Sequence, residues 1–413
     1  MVRVGMITGE YPPLRGGVAD YTQRLVGALR ALDVVPSVLT SQRAATEPQD
    51  PSVLPRVRRW DRSIWRLVAQ LAQRQRWDLV HIQYQPAAYE LRATINLLPL
   101  ALHRSLPHLK VVTTFHDLRV PYLFPKSGPL RQLMVRLLAN RSDAVIAVAA
   151  EDVPLLWRWH TRGARLVFRS RPAAPATLAH IAVGNNLDAP PPVGFDRDLW
   201  RARIGATTDT LVVGHIGFIN RSKGVDVLVR ALARLLSQGL DVRVLMIGEQ
   251  VGSSDTENVR YLAEVMVLIE RLRLQPYVHW TGFQRPEALA AWLRCTDVAA
   301  LPFLDGASQR RTSLLGCLAH GVPTITVAPP CPVISGQSPA AGTDHWPLAH
   351  GEAIWYVPAA DALALADAIA ELRRDPDRRA RLSEGAWAYA RRLSWPEIAR
   401  RTRAHYEQAL AGR

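Results

Sequence analysis

Cysteine is scarce in this chain of 413 residues, with only Cys295, Cys317 and Cys331. An odd, widely spaced set excludes a disulfide framework and suits a reducing compartment. Without a C-x-x-C pair it gives no zinc knuckle either. Long apolar runs are also missing. Arg or Pro interrupts every candidate before the roughly 20 residues that span a bilayer. The opening MVRVGMITGEYPP carries a short apolar run with no small-residue cleavage pattern, so it reads as a strand and turn, not a secretory leader. Acidic residues are outnumbered, 36 against 51 Lys and Arg, for a formal net charge of +15. Such a surplus suits a membrane face, a nucleic acid or an anionic substrate; an arginine-rich composition throughout accounts for it equally. No RNP-like, zinc-finger or helix-turn-helix pattern supports nucleic-acid binding.

What is present is a soluble α/β protein in two halves. Hydrophobic residues make up 48% of the chain and charged residues 21%, ordinary for a globular protein and, at this length, for two domains. Apolar runs at Val2–Thr8, Pro36–Thr40, Asp78–Tyr84, Lys110–His116 and Ala144–Val148 read as strands. Val18, Tyr21, Leu25, Leu29 and Leu32 recur at helical spacing, as do Ile64, Leu67, Val68 and Leu71. The stretch His180–Leu187 ends this half in a turn, and Asp188–Gly194, rich in proline, reads as an extended linker. The alternation then restarts, with strands at Leu211–Ile219, Val242–Gly248, Tyr277–Gly282 and Val298–Phe303 and helices between them. Alternating strands and helices mean parallel, doubly wound sheets covered on both faces. The expected organisation is one domain over residues 1–190, a second over 191–393, and a last helix over 394–413, with Pro396 expected to kink or restart the terminal helical segment.

Four loops carry candidate chemistry. Between Leu301 and Thr326 a strand leads through Asp305, Gly306, Ala307 and Ser308 into a helix that Gly321 and Pro323 terminate. Backbone N–H groups and a positive helix end meet there, which makes an anion site by construction. Arg310 and Arg311 in the same turn oppose the helix dipole, an arrangement that suits a bound anion; solvated arginines on an ordinary turn are the alternative. The loop from Gly9 to Tyr21 ends in Gly16-Gly17 at a helix start, where backbone can approach a ligand closely. It is not G-x-G-x-x-G, so no dinucleotide fingerprint is present. His116, with Asp117, falls at the carboxyl edge of a strand. Arg221 and Lys223 follow another strand and open a helix, Lys223 as a point charge for phosphate and Arg221 as a forked partner.

These loops resemble the motifs of retaining family 4 glycosyltransferases of the GT-B fold, in order and over nearly the whole chain. The string EYPP…GGVADYT resembles that family's first loop, TFHD its sugar-side His-Asp, Lys223-Gly224 its phosphate-binding pair, and DGASQRRTSLLGCLAHGVPTI its signature segment. The resemblance implies two Rossmann-like domains facing across a cleft, acceptor side first and donor side second, with the last helix crossing back to the first domain. It implies transfer of a sugar from a nucleotide-diphosphate sugar to a hydroxyl, a hexosyltransferase-like reaction in polysaccharide, glycolipid or cell-envelope synthesis, with no cofactor and no bound metal. Residue by residue it implies His116 and Asp305 at the transferred sugar, and Gly16, Gly17, Arg221, Lys223, Gly306, Ala307 and Ser308 at the diphosphate. Gly282, Phe283 and Ser313 fall at the nucleoside, and Arg310 and Arg311 remain as further anion partners.

Two positions depart from the family pattern. Ser313 stands where a ribose-binding glutamate is expected, and Phe218 where an arginine is, a loss that Arg221 would make good from three residues on. These departures keep open a non-catalytic nucleotide-sugar-binding protein; a nucleotide-sugar epimerase on the same fold would need cleft carboxylates that the motifs do not supply. A cytoplasmic location follows. Arginines 56, 58, 59, 62 and 66 near Trp60 and Trp65, and Arg131, Arg136 and Arg141 among leucines 130, 133, 137 and 138, allow peripheral contact with an anionic membrane.

Overall fold

The computed structural model describes residues 1–14, 16–45, 50–118, 128–163, 177–187, 189–250, 256–329, 346 and 348–411. Arg15 in the first loop, Asp188 in the linker, Cys331 and the side chains of Leu130 and Arg131 lie outside them. The chain divides into two compact units, one holding Met1–Gly184 and Leu393–Arg413, the other holding Asn185–Ser335 and His345–Arg392.

The first unit is a seven-stranded sheet. Its strands are β1 (Val2–Thr8), β2 (Val34–Ser41), β3 (Val53–Val57), β4 (Leu79–Tyr84), β5 (Lys110–Phe115), β6 (Ala144–Ala147) and β7 (Thr177–His180). They lie in the order β3-β2-β1-β4-β5-β6-β7, and every pairing is parallel. Its helices are α1 (Gly17–Arg30), α2 (Ser63–Gln75), α3 (Leu98–Ser105), α4 (Gly128–Arg141) and α5 (Val153–Gly163). The strand β3 was not anticipated because Pro55 sits inside it. A proline cannot donate to a ladder, and β3 tolerates one because it is the edge strand.

The second unit adds α6 (Arg197–Ala202), β8 (Leu211–Ile216), α7 (Val225–Ser237), β9 (Val242–Ile247), α8 (Thr256–Arg271), β10 (Val278–Trp280), α9 (Pro286–Cys295), β11 (Val298–Leu301), α10 (Thr312–Ala319), β12 (Thr324–Val327), β13 (Ile354–Val357), α11 (Ala362–Arg374) and α12 (Pro376–Arg391). Its sheet runs β10-β9-β8-β11-β12-β13, again all parallel. The strands β8 and β11 are buried along their whole length, as sheets covered on both faces require. The short α6 carried a readable start signal that the periodicity did not show: Asp196 caps it by accepting from the N–H groups of Asp198 and Leu199.

The last helix, α13 (Trp395–Ala411), starts afresh with Pro396 in its first turn, where a missing N–H costs nothing. It belongs to the first unit. There Trp395, Ile398, Ala399, Tyr406 and Ala409 enter the core with Tyr21, Leu25 and Leu29 of α1 and Val112, Ala144 and Ile146 of the sheet.

Both sheets reverse strand order once, beside β1 and β4 in the first unit and beside β8 and β11 in the second. In open parallel sheets, ligands collect at the carboxyl ends of the strands at such a switch point. The candidate residues follow carboxyl ends of strands, although His116 (after β5) and Gly282 and Phe283 (after β10) lie on strands away from the switch points.

Candidate active site

In the first unit, β1 delivers the chain into the Gly9–Gly16 loop. Thr8 Oγ1 donates to the Glu10 carbonyl at 2.7 Å and fixes the turn. The two glycines differ. Gly16 is extended and caps α1, and a side chain there would collide with the Glu10 carboxylate. Gly17 faces open space. Burial raises the pKa of Glu10. The Glu10 carboxylate thus lies against Gly16, while the space in front of Gly17 is open among the described residues.

His116 follows β5. Its N–H donates to the Tyr84 carbonyl, and its ring packs edge-on against Tyr21 at 4.6 Å. Its Nε2 lies 2.8 Å from Oε1 of Gln83, which is fully buried. An amide oxygen only accepts, so Nε2 carries the proton. The Gln83 amide nitrogen in turn donates to Met6 Sδ at 3.0 Å. Beneath lies His81, with Nδ1 2.6 Å from the Tyr406 hydroxyl and Nε2 2.7 Å from Thr114 Oγ1. Burial, with smaller contributions from His116 and His405, pulls the His81 pKa down to about 3. Gln83, His81 and Tyr406 gave no signal in the sequence: a polar residue inside an apolar strand looks like any other interruption.

In the second unit, β8 runs into Gly217, whose φ of +98° favours glycine. Gly248 (φ +111°) lies against it, and an added β-carbon would sit 3.6 Å from the Gly217 α-carbon. Gly248 also bridges to Gly282. Three glycines thus form a floor, and the side chain on it is that of Lys223. Phe283, beyond Gly282, is exposed.

Lys223 stands on this floor. It ends a short turn closed by Gly224 (φ +62°), where a side chain would strike the Pro302 carbonyl. Its Nζ donates to the Ile216 carbonyl at 3.3 Å. Burial, and then the Arg311 guanidinium, lower its pKa to about 8. Among the described residues no carboxylate pairs with it. Only three of the chain's 51 basic residues are lysines, at 110, 126 and 223, so the point charge here is an exception to the chain's arginine usage. A Cβ on Gly217 would lie 4.0 Å from that of Ser313, which is buried.

Three expectations change. Arg221 does not turn toward the place of the missing arginine: its exposed guanidinium pairs with Glu264 at 2.7 Å and lies over the Tyr261 ring. The Gly306 and Ala307 amides do not point at a ligand, because they donate to the Phe303 and Val327 carbonyls. The N–H groups of Arg310 and Arg311 are likewise taken, by Ser308 Oγ and the Ser308 carbonyl. The helix α10 begins only at Thr312 with no side-chain cap, so the amides lacking a partner inside it are those of Thr312, Ser313 and Leu314. Finally, Asp305 is ion-paired with Arg311, whose guanidinium stacks 3.9 Å from the Phe303 ring centre. Arg310 is half-buried.

The expected membrane surface lacks its aromatic half. Arginines 56, 58, 59, 62 and 66 are exposed, but Trp60 is buried edge-on against Tyr89, and the Trp65 indole donates to the Thr94 carbonyl. Among the described residues no helix is long and apolar enough to cross a membrane.

Fold and site define a pair of Rossmann-like, doubly wound domains with ligand edges at their switch points, the second with a glycine floor and a lysine suited to phosphate. The comparisons agree. Residues 16–172 match the glycosyl transferase 4-like domain and residues 210–375 the group 1 glycosyl transferases. Two curated relatives are D-inositol 3-phosphate glycosyltransferases. That of Corynebacterium glutamicum is 29% identical over 58% of this chain and 53% of its own length; that of Xylanimonas cellulosilytica is 31% identical over 66% and 58%. The matched region spans little more than half the length of these relatives. Among solved structures, sucrose-phosphate synthase from Thermosynechococcus elongatus superposes with a TM-score of 0.69 at 19% identity over the whole of both chains. Anabaena HepE in complex with UDP gives 0.67 at 17% over 99% of this chain and all of that one. The chain belongs to the group 1, family 4-like glycosyltransferases and has the GT-B fold.

Proposed function

We propose that the protein transfers a sugar, with retention, from a nucleotide-diphosphate sugar to a hydroxyl acceptor. The observation that carries this reading is Lys223: a half-buried cation with no carboxylate partner among the described residues, set on a glycine floor beside Ser313 and the uncapped start of α10. A half-buried cation is costly unless an anion joins it, and a diphosphate is the anion this family handles. As the glycosidic bond breaks, negative charge grows on the leaving diphosphate. Lys223 and the first amides of α10 would stabilise it there, which accelerates the reaction more than equal binding of the ground state could. Asp305 would orient the sugar, and His116, donating from its Nε2 side to Gln83, would meet hydroxyls with the rest of its ring. Gly282 and Phe283 would flank the base; Ser313 is too short to copy a glutamate's ribose contact and would use a water or leave the ribose to main-chain groups. Neither a cofactor nor a metal enters this scheme.

HepE binds UDP, which makes uridine diphosphate the first donor nucleotide to try. The acceptor would be a glycan or lipid-linked sugar on the cytoplasmic side. A second reading, a nucleotide-sugar-binding protein without turnover, draws on the Asp305–Arg311 ion pair, since an acid held by arginine is not available to a sugar. Melting the purified protein with UDP, GDP and ADP and their sugars, and then assaying donor hydrolysis, separates the two. A ligand specific for the native state raises the melting temperature. Stabilisation with turnover supports the transferase, stabilisation alone the binding protein, and no stabilisation by any of them removes both.

A further inference from the structure

A second recessed surface lies in the same unit, at the opposite edge of the sheet from Lys223. It has a volume of about 460 Å³ and is bordered by the residues that lead into β11 and β12 and by α12. The length of β11 alone separates the two edges, roughly 13 Å at strand rise. Nothing in the proposed chemistry uses this groove.

Its chemistry is one-sided. Trp387, 47% exposed, forms one wall. Its indole lies on Gly321, where φ is +65° and a side chain would run into the ring. Arg294 is exposed, and among the described residues no carboxylate faces it. Arg379 spends Nη1 on the Leu372 and Arg373 carbonyls at the end of α11, and among the described residues no carboxylate pairs with it. The one acid in the wall, Asp297, is already neutralised. Its Oδ1 accepts from Arg197 at 2.5 Å, and its Oδ2 accepts from Arg201 at 3.0 Å and from the Val212 N–H at 2.8 Å. The groove therefore offers an aromatic face with cationic donors around it and a single carboxylate that is already ion-paired.

We propose that this groove is an accessory subsite for an acidic glycan, one whose sugar rings carry carboxylates. A pyranose lays its C–H face on an indole, and its carboxylate takes the forked donors of arginine. An open groove admits the middle of a chain, which an enclosed pocket would not. The role as a hold on the acceptor polymer rests on the transferase reading; the binding itself does not.

The test is fluorescence anisotropy with a labelled galacturonic acid oligomer and a labelled maltooligosaccharide at physiological salt, without donor. The acidic oligomer should bind and the neutral one should not. Trp387→Ala and Arg294→Ala should each weaken binding roughly tenfold or more, the scale of one charge-assisted contact. Arg271→Gln, a charge change on α8, and Lys223→Ala should bind as wild type. Circular dichroism and melting identify a Trp387 variant that fails to fold, and Arg294→Ala then decides. Equal affinity for both oligomers, unchanged affinity in Arg294→Ala, or an equal loss in Arg271→Gln overturns the proposal. Oligomer binding without donor turnover would sink the transferase reading and leave the groove standing.

Discussion

The Lys223 ammonium occupies the space in which a side chain at residue 217 would begin. Gly217 is thus a cradle for Lys223 as well as a left-handed turn. Gly217→Ala should displace the ammonium and strain the backbone, at a cost of about 1–3 kcal/mol in stability. Nucleotide-induced stabilisation should vanish with it. Lys223→Ala should lose the same response and about one to two decades of turnover. Chemical denaturation with and without UDP checks both; a Gly217→Ala protein that still responds to UDP as wild type contradicts the arrangement.

Lys223 also sets a pH dependence. Burial holds its pKa at about 8, below the usual lysine value. Without ligand it gives up its proton as pH rises through 8, while a bound diphosphate favours the protonated form. Nucleotide binding near and above pH 8 should therefore take up a proton, and affinity should fall as pH rises above about 8. For stability the sign is opposite. Above pH 8 the unfolded chain keeps the Lys223 proton longer than the folded one, so this group favours the fold increasingly up to about pH 10. Calorimetry in buffers of differing ionisation heat detects the uptake, and Lys223→Met should abolish it.

The Asp305–Arg311 pair makes two predictions of opposite kind. Asp305→Asn should lower kcat more than it raises KM, if Asp305 orients the departing sugar. Arg311→Ala removes the cation that depresses Lys223, so the alkaline fall in affinity should move to higher pH. An unmoved profile would show that burial alone sets the lysine.

Tyr406 and His81 tie α13 to β4. Tyr406→Phe leaves a buried ring nitrogen without its hydroxyl and should cost about 1–3 kcal/mol. The folded pKa of His81, about 3, lies below its unfolded value near 6.5. Between those limits the unfolded chain binds the proton first, so stability should drop as pH falls through that window. The denaturant midpoint against pH measures it, and His81→Gln should flatten the curve.

Co-sedimentation with anionic and neutral vesicles tests the membrane idea. With Trp60 and Trp65 turned inward, binding should be electrostatic only and disappear at high salt.

Most of the strands could be expected from alternation, because parallel strands are apolar on both faces and leave plain runs; their order in the sheet could not. Val53–Val57 escaped because its proline obeys an edge rule that only the finished sheet reveals. At the site, Lys223, His116 and Asp305 drew notice because each follows a strand, which is where the structure places them. Arg221 and the Gly306 and Ala307 amides were misjudged because sequence gives position and not direction. An arginine one turn from a phosphate site reaches Glu264 instead, and a turn amide bonds to a neighbouring strand.

The placement of α13 also orders events during synthesis. Residues 1–184 leave the ribosome well before α13, so the slot for Trp395, Ile398 and Tyr406 against α1 and the sheet stays unfilled until α13 emerges. The second unit has been made by then, up to Arg392. The unit that holds residues 1–184 therefore completes its core only after the second unit has been made, and the apolar face that α13 covers would stay open to other chains through that interval.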